Sequence, residues 1–453
     1  KLRALLPIES IHASCLPASL LPCLRAKFFG EVDIARDLNQ DAEDSDLPAQ
    51  AWTGAQDNRS PNMAAARLVI EAGTLLTPAQ EILEARIQIA GGRIERMGSR
   101  EEIAIGPGSS ILHAEPFTVA PGMIDLHIHG AAGRDVMEAT AEALDAISGF
   151  LARHGTTAFV PTMVSAGLKT TTECVAALAE LLERRAWPGA LPLGIHMEGP
   201  FINPEKRGTH RPENIVSPDI ETFRNWVERA RGKLRILTIA PELPGAIEIL
   251  REARNRDILV GIGHSNATYA EAQEAIAAGA THGIHLFNAM RPLSHRDPGI
   301  VAAVLASDAI YAELIADGVH LDPVVVSLAA HLKSFDRLLL ITDATSATGM
   351  PDGTYQLGTM KVQVKGGVSR DSEGRLAGST LTQDAAVRNV ISWTGCSMTQ
   401  ALRAATLNPA TLLRCDSRKG MLREGADADL VILDGACRVV HTLVGGQTVF
   451  SAL

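Results

Sequence analysis

Aromatic residues are scarce in this chain: Phe, Trp and Tyr together make up 4% of its 453 residues. An interior built on stacked rings is excluded, and aliphatic side chains must fill it. No run of about 18 apolar residues occurs, so no membrane-spanning helix is expected. A basic excess is missing as well. Lys and Arg number 42 against 52 Asp and Glu, a net charge of −10, which argues against a nucleic-acid partner. The six cysteines, at 15, 23, 174, 396, 415 and 437, show no CxxC spacing and no dense framework. Reduced thiols in a cytoplasmic protein are expected. What the chain does have is 46% hydrophobic residues, 39 glycines and the length for one large core plus a smaller satellite domain.

Residues 1–62 stand apart. They lack sustained periodicity, carry an acidic patch from Asp41 to Asp46, and end in the turn-rich Asp57-Asn58-Arg59-Ser60-Pro61-Asn62. A targeting presequence and a translated upstream stretch, with Met63 the working start, are the two readings. Acidic residues accumulate from Glu31 onward and no cleavage site follows an apolar core, so a signal peptide fits poorly. A dispensable, disordered extension is expected. From Arg67 to Val119 the pattern is strand-like with Gly turns, and the last thirty residues read the same way. One small β domain, 63–119 with 415–453, is expected from the two ends, flanking a barrel over 120–414.

That middle repeats strand, loop, helix. Eight candidate strands are Met123–Ile128, Thr157–Pro161, Leu193–Glu198, Arg235–Ile239, Leu259–His264, His282–Phe287, Tyr311–Ala316 and Leu338–Ile341. Helical stretches such as Ala139–His154, Thr170–Arg185 and Thr268–Ala278 lie between them, and Asp322-Pro323 marks a helix start. Eight β/α units imply a (β/α)₈ TIM-like barrel. A doubly wound sheet is the runner-up, disfavoured by the missing glycine-rich phosphate fingerprint.

In such a barrel the chemistry sits at the C-terminal strand ends. There the sequence places Asp125-Leu126-His127-Ile128-His129, then His196-Met197-Glu198, Gly263-His264-Ser265, His285 to Asn288, Asp317-Gly318-Val319-His320 and Thr342-Asp343. Histidines at i and i+2 of a strand share a face, so His127 and His129 both point to the barrel mouth. Imidazole and carboxylate suit a borderline divalent metal. Core packing alone does not explain so many polar strand ends, because an unpaired buried polar group costs several kcal/mol. His12, His113, His331 and His441 fall outside the pattern. His154 reads as a helix C-terminus, His196 as a packed residue one layer deeper, and His282 and His295 stay undecided.

These motifs, with Pro121-Gly122-Met123-Ile124-Asp125-Leu126-His127, Lys206-Arg207-Gly208-Thr209-His210, His285-Leu286-Phe287-Asn288-Ala289-Met290 and Leu376-Ala377-Gly378-Ser379, resemble the amidohydrolase superfamily and, within it, the N-acetylglucosamine-6-phosphate deacetylase family. The likeness runs from Arg67 to Phe450. It implies an amidohydrolase-type barrel with a small β-sandwich formed by the chain ends, and a metal-dependent hydrolysis of an amino-sugar phosphate acetamide. Glu198, His264 and His285 would bind one essential divalent ion, with zinc expected and iron, cobalt or manganese as alternatives. His127 and His129 would hold a second, since family members that keep this pair hold two. Asp343 would be the catalytic aspartate, and His210 would donate to the carbonyl oxygen. Thr209, His210, Asn288, Ala289, Arg296, Asp317, His320, Leu376, Ala377 and Gly378 would hold the substrate, and the implied assembly is a homodimer.

Three rivals frame this expectation. A cyclic-amide hydrolase of the same superfamily would carry a modified lysine after strand four, where this chain has Thr238-Ile239-Ala240-Pro241-Glu242. A deacetylase for the galactosamine epimer is closer. A silent scaffold barrel would be expected to lose the proton shuttle or a metal ligand, and both are present.

Overall fold

Strand and helix alternate because the apolar pattern does. In the computed structural model, residues 67–77, 80–184 and 186–453 are described; the expectations for residues 1–62, with Cys15 and Cys23, lie outside them. The chain enters as β1 (Leu68–Leu76), β2 (Glu81–Ala90), β3 (Arg93–Ser99) and β4 (Ser110–Pro121). It continues through β5 (Met123–Ile128), α1 (Ala141–Arg153), β6 (Thr156–Met163), α2 (Leu168–Leu181), β7 (Ile195–Glu198), α3 (Ile220–Arg229) and β8 (Leu234–Ile239). Next come α4 (Ala246–Asn255), β9 (Leu259–Ile262), α5 (Tyr269–Ala278), β10 (His282–Gly283), α6 (Gly299–Ala306), β11 (Tyr311–Ile315), α7 (Pro323–Lys333) and β12 (Leu338–Ile341). A small hairpin sheet follows as β13 (Gly353–Leu357), β14 (Met360–Lys365) and β15 (Val368–Arg370). The chain closes with α8 (Gln383–Thr394), α9 (Met398–Ala405), α10 (Leu407–Leu412), β16 (Leu430–Leu433), β17 (Val439–Val444) and β18 (Gln447–Ser451).

The strands β5 to β12 lie side by side in sequence order, all parallel, with Leu191–Pro192 pairing beside β6. This is the expected barrel. Strands buried on both faces read as continuous apolar runs, and β12 is Leu-Leu-Leu-Ile, fully buried. The ring closes between β12 and β5 through side chains and the strand ends. The Asp343 N–H donates to His127 O at 2.9 Å and the His129 N–H to Ala344 O at 2.8 Å. Beneath them the Thr342 hydroxyl donates to Asp125 Oδ2 at 2.6 Å, and Gln383 Nε2 at the head of α8 donates to both Ile124 O and Leu340 O. Helix starts follow the polar caps: Thr140 caps α1, Thr268 forms a capping box on α5, and Asp322 with Pro323 opens α7.

The two chain ends build one seven-stranded sheet, ordered β18-β17-β16-β4-β1-β2-β3. It curls until the segment before β16 reaches its far edge, where Ile94 N–H donates to Ala426 O and Ala428 N–H to Gly92 O. Its two halves therefore face each other across one cluster that includes Ile70, Ile87, Ile89, Leu430, Ile432 and Leu443. Among the described residues no helix is long and apolar enough to cross a membrane.

Candidate active site

Two of the expected strands end early, and the site depends on it. The expected strand Leu259–His264 stops at Ile262 and the expected strand His282–Phe287 at Gly283. His264 (φ 45°), His285 (φ 25°) and Asp343 (φ 50°) are non-glycine residues in the left-handed region, where a side chain is normally strained. Each stands just past the end of its own strand, where the turn out of the sheet carries its side chain toward Glu198 or the histidines around it.

What they turn toward is Glu198, the last residue of β7. Its Oε1 lies 3.0 Å from His285 Nε2, 3.1 Å from His264 Nε2 and 3.5 Å from His127 Nε2. Its Oε2 lies 3.2 Å from His129 Nε2 and 3.4 Å from His210 Nε2. Asp343 Oδ1 stands 3.1 Å from His129 Nε2 and 3.7 Å from His127 Nε2. All of these groups are buried. Burial by itself would raise the Glu198 carboxyl, but the imidazoles, His127 foremost, hold it well below the usual carboxylate range. Asp343 is likewise penalised by burial, yet while His127 and His129 carry protons in place of an ion, the bond to His129 and the charges of both rings bring it down to about 2.

The far nitrogens decide what each ring offers. His264 Nδ1–H donates to Lys206 O at 2.8 Å, His129 Nδ1–H to Thr162 O at 3.1 Å, and His127 Nδ1 faces Glu313 Oε2 at 3.4 Å. Each of these three thereby presents Nε2 to the centre, the orientation of a metal-ligating histidine. His264 Nε2 and His285 Nε2 lie 3.2 Å apart, and His127 Nε2 is buried without a hydrogen-bond partner. Electron pairs crowded in this way are favourable only around a proton or a cation, so the donor set fits a divalent ion. His127, His129 and Asp343 bring donor atoms within 4.8 Å of one another, as do Glu198, His210 and His264. His210 differs from the others. Its Nδ1 accepts the Ser165 N–H at 3.4 Å, leaving Nε2–H as a donor, and burial lowers its pKa to about 4, so the ring is neutral.

Above this centre is a cavity of about 130 Å³ lined by His129, Glu198, Thr209, His210, His264, His285, Asn288, Ala289, His320, Asp343, Leu376 and Gly378, among others. Gly208 (φ +57°) lets the 206–210 loop pass, since a Cβ there would lie 3.2 Å from the His264 ring. Gly378 (φ +56°) packs against the Asp343 backbone, where a Cβ would meet its carbonyl at 2.7 Å. Four sequence-predicted residues do not line the cavity. His127 is buried beneath it, and Ala377 is buried behind Gly378. Asp317 faces His320, whose Nδ1 lies 2.7 Å from its Oδ2. Arg296 is exposed in the loop after Met290.

Sequence reasoning passed over Glu313 and Thr162 as site residues, and named Asp125 and Thr342 only within motifs. Asp125 is pushed up to about 7 by burial and fixes the β5–β12 seam. Thr162 and Thr238 hold His196, whose Nδ1 and Nε2 lie 3.2 and 2.8 Å from their hydroxyls, one layer below the centre. Glu313 is a carboxylate midway along an otherwise apolar strand; that misfit was the available signal.

The chain matches the amidohydrolase family over residues 118–449. It is 36% identical over 386 residues to an N-acetylglucosamine-6-phosphate deacetylase of Bacillus subtilis, covering 84% of this chain and 97% of that one. It is 37% identical over 379 residues to an N-acetylgalactosamine-6-phosphate deacetylase of Escherichia coli O157:H7, covering 84% and 98%. Among solved structures, a variant of the Mycobacterium smegmatis N-acetyl-D-glucosamine-6-phosphate deacetylase in complex with N-acetyl-D-glucosamine-6-phosphate superimposes with a TM-score of 0.80 at 33% identity, over 86% of this chain and 100% of that one. With the barrel, the strand-end histidines and Asp343 in place, the chain belongs to the amidohydrolase family and, within it, to the N-acetylglucosamine-6-phosphate deacetylases.

Proposed function

We propose that this chain hydrolyses the acetamide of N-acetylglucosamine 6-phosphate, giving acetate and glucosamine 6-phosphate. The carrying observation is one carboxylate, Asp343, set at the edge of an imidazole cluster under a cavity that Thr209, His210, Asn288 and Ala289 line. Glu198, His264 and His285 would hold the essential divalent ion, zinc first among candidates that include iron, cobalt and manganese. His127 and His129 would hold a second. A bound divalent ion lowers the pKa of water toward about 7 and polarises a carbonyl.

The chain's own groups do the rest. Asp343 takes the proton of the attacking water, a divalent ion beside it favouring the carboxylate form that can accept. It returns that proton to the amide nitrogen, so that the amine leaves neutral as the C–N bond breaks. His210 donates its Nε2–H to the carbonyl oxygen as negative charge grows there. A neutral ring suits this task, because it donates without placing a second positive charge beside the ion. The backbone near Asn288 and Ala289, with His320, would meet the sugar phosphate. Arg296 is assigned to the phosphate on the family resemblance, as a planar fork suited to it. A homodimer is consistent with the exposed apolar stripe Val324, Leu328 and Leu332 on α7, 66%, 57% and 62% exposed. A cytoplasmic setting is consistent with the free cysteines 174, 396, 415 and 437.

The galactosamine epimer is the second reading, because a relative of equal similarity carries that name. Acetate release from both N-acetylated 6-phosphates and both unphosphorylated sugars separates the cases. The highest kcat/KM is expected on N-acetylglucosamine 6-phosphate, and equal rates on its unphosphorylated form would refute a phosphate site. In the same assay Arg296→Ala should raise KM for the phosphorylated sugar and leave the poor rate on the unphosphorylated one unchanged. Equal losses on both would give Arg296 a structural role.

A further inference from the structure

We propose that Glu313 is the positioning residue that holds the His127 ring with Nδ1–H turned away from the cavity and Nε2 free to bind a metal ion. Glu313 lies at the centre of β11, whose five residues are all buried, and is 0% exposed. It does not line the cavity, so it does not meet substrate. Its Oε2 is 3.4 Å from His127 Nδ1 and 3.2 Å from the His285 backbone nitrogen, and its Oε1 is 3.5 Å from His282 Nε2. Its ion-pair partners among the described residues are imidazoles, not lysine or arginine.

A Val or Leu would serve packing at this position, and an ionised carboxylate inside an apolar barrel wall is costly unless it is bonded. The bonds it makes all lead to the site. The His282 ring beside Oε1 is given room by Gly261, where a Cβ would lie 2.7 Å from His282 Nε2. The two histidines of β5 are thus oriented by different acceptors: His129 by the Thr162 backbone oxygen, His127 by the Glu313 carboxylate. A carboxylate behind a ligating imidazole fixes its tautomer and strengthens it as a donor, and losing such a partner costs about 10–100-fold in metal affinity. The inference rests on the metal-site reading above.

The test combines two readouts on the full chain. Zinc is titrated calorimetrically into metal-stripped wild type, Glu313→Leu, Glu313→Gln, His127→Asn and the Glu313→Leu/His127→Asn double variant. The Nδ1–H proton of His127 is followed by NMR in the zinc-loaded proteins and assigned by its absence in His127→Asn. Glu313→Leu should lose that signal and weaken the second zinc site by about 10–100-fold. The double variant should bind zinc no worse than His127→Asn, because Glu313 acts through His127. Glu313→Gln keeps an acceptor oxygen, so the signal should survive but move upfield as the bond weakens. An unmoved signal in Glu313→Gln overturns the proposal, as do losses that add in the double variant. If wild type takes up one zinc only, the two-ion reading fails. Glu313 is then judged by the wild-type His127 signal alone, whose presence supports its role and whose absence refutes it.

Discussion

Asp343 illustrates how neighbours would fit one residue to its proposed role. A buried carboxyl ordinarily rises in pKa, yet positive charge beside this one, on protonated His129 and His127 or on the ion they would hold, brings it down. Asp343→Asn should therefore retain the fold and the bound metal while lowering kcat by at least about a hundredfold, since an amide relays no proton. Near-normal turnover in a metal-replete variant would contradict the role. Residues of this kind were legible because they end apolar strands in polar groups that packing does not ask for. Asp343, Glu198, His264 and His285 could be singled out as such strand ends, and the family resemblance gave each its expected role. Glu313 could not, because it sits mid-strand, and its partners come from β5 and β10, far away in sequence. Arg296 shows the converse. The family resemblance assigned it, but sequence does not say whether a loop residue faces inward, and in this structure it is exposed outside the cavity lining.

Among the elements, α8 does more than cover the barrel. Its first residue, Gln383, bonds the backbones of β5 and β12, and its second, Asp384, bonds His154 at the end of α1 at 3.1 Å and Arg388 at 2.7 Å. Burial alone would raise Asp384, but His154 and Arg388 bring it from 3.8 to about 2. A depressed carboxylate stabilises the fold above its unfolded value, and that contribution is lost as pH falls toward the folded one. Asp384→Asn should cost on the order of 2 kcal/mol near neutral pH, and the difference from wild type should shrink between about pH 4 and pH 2. Urea unfolding at several pH values measures this; a gap that widens on acidification would refute it. Elements were easier to place than their ends. The expected strand His282–Phe287 reads as continuous on apolar pattern, but the backbone departs at Gly283 so that His285 can face Glu198. Such a turn is set by tertiary contacts, which no local window contains.

At the scale of the whole molecule, the repeat of eight strand–helix units announced the barrel, and Gly-punctuated strands at both ends announced the shared sheet. Both follow from hydrophobic period alone, which explains why they were readable. How the ring closes was not, because β5 and β12 meet through Asp125, Thr342 and Gln383, polar groups that pattern counts as noise. The closed ring matters for function because it brings the ends of β5, β7 and β12, and the turns after β9 and β10, to one point around Glu198. The central claim is that this point hydrolyses an amino-sugar phosphate acetamide with a divalent ion that the chain's own donors hold. Acetate release from N-acetylglucosamine 6-phosphate, measured on the metal-stripped full chain before and after zinc is added back, tests it most directly. Turnover should be near background without metal and recover as zinc reaches about one ion per chain. Full turnover by the stripped protein would contradict the account.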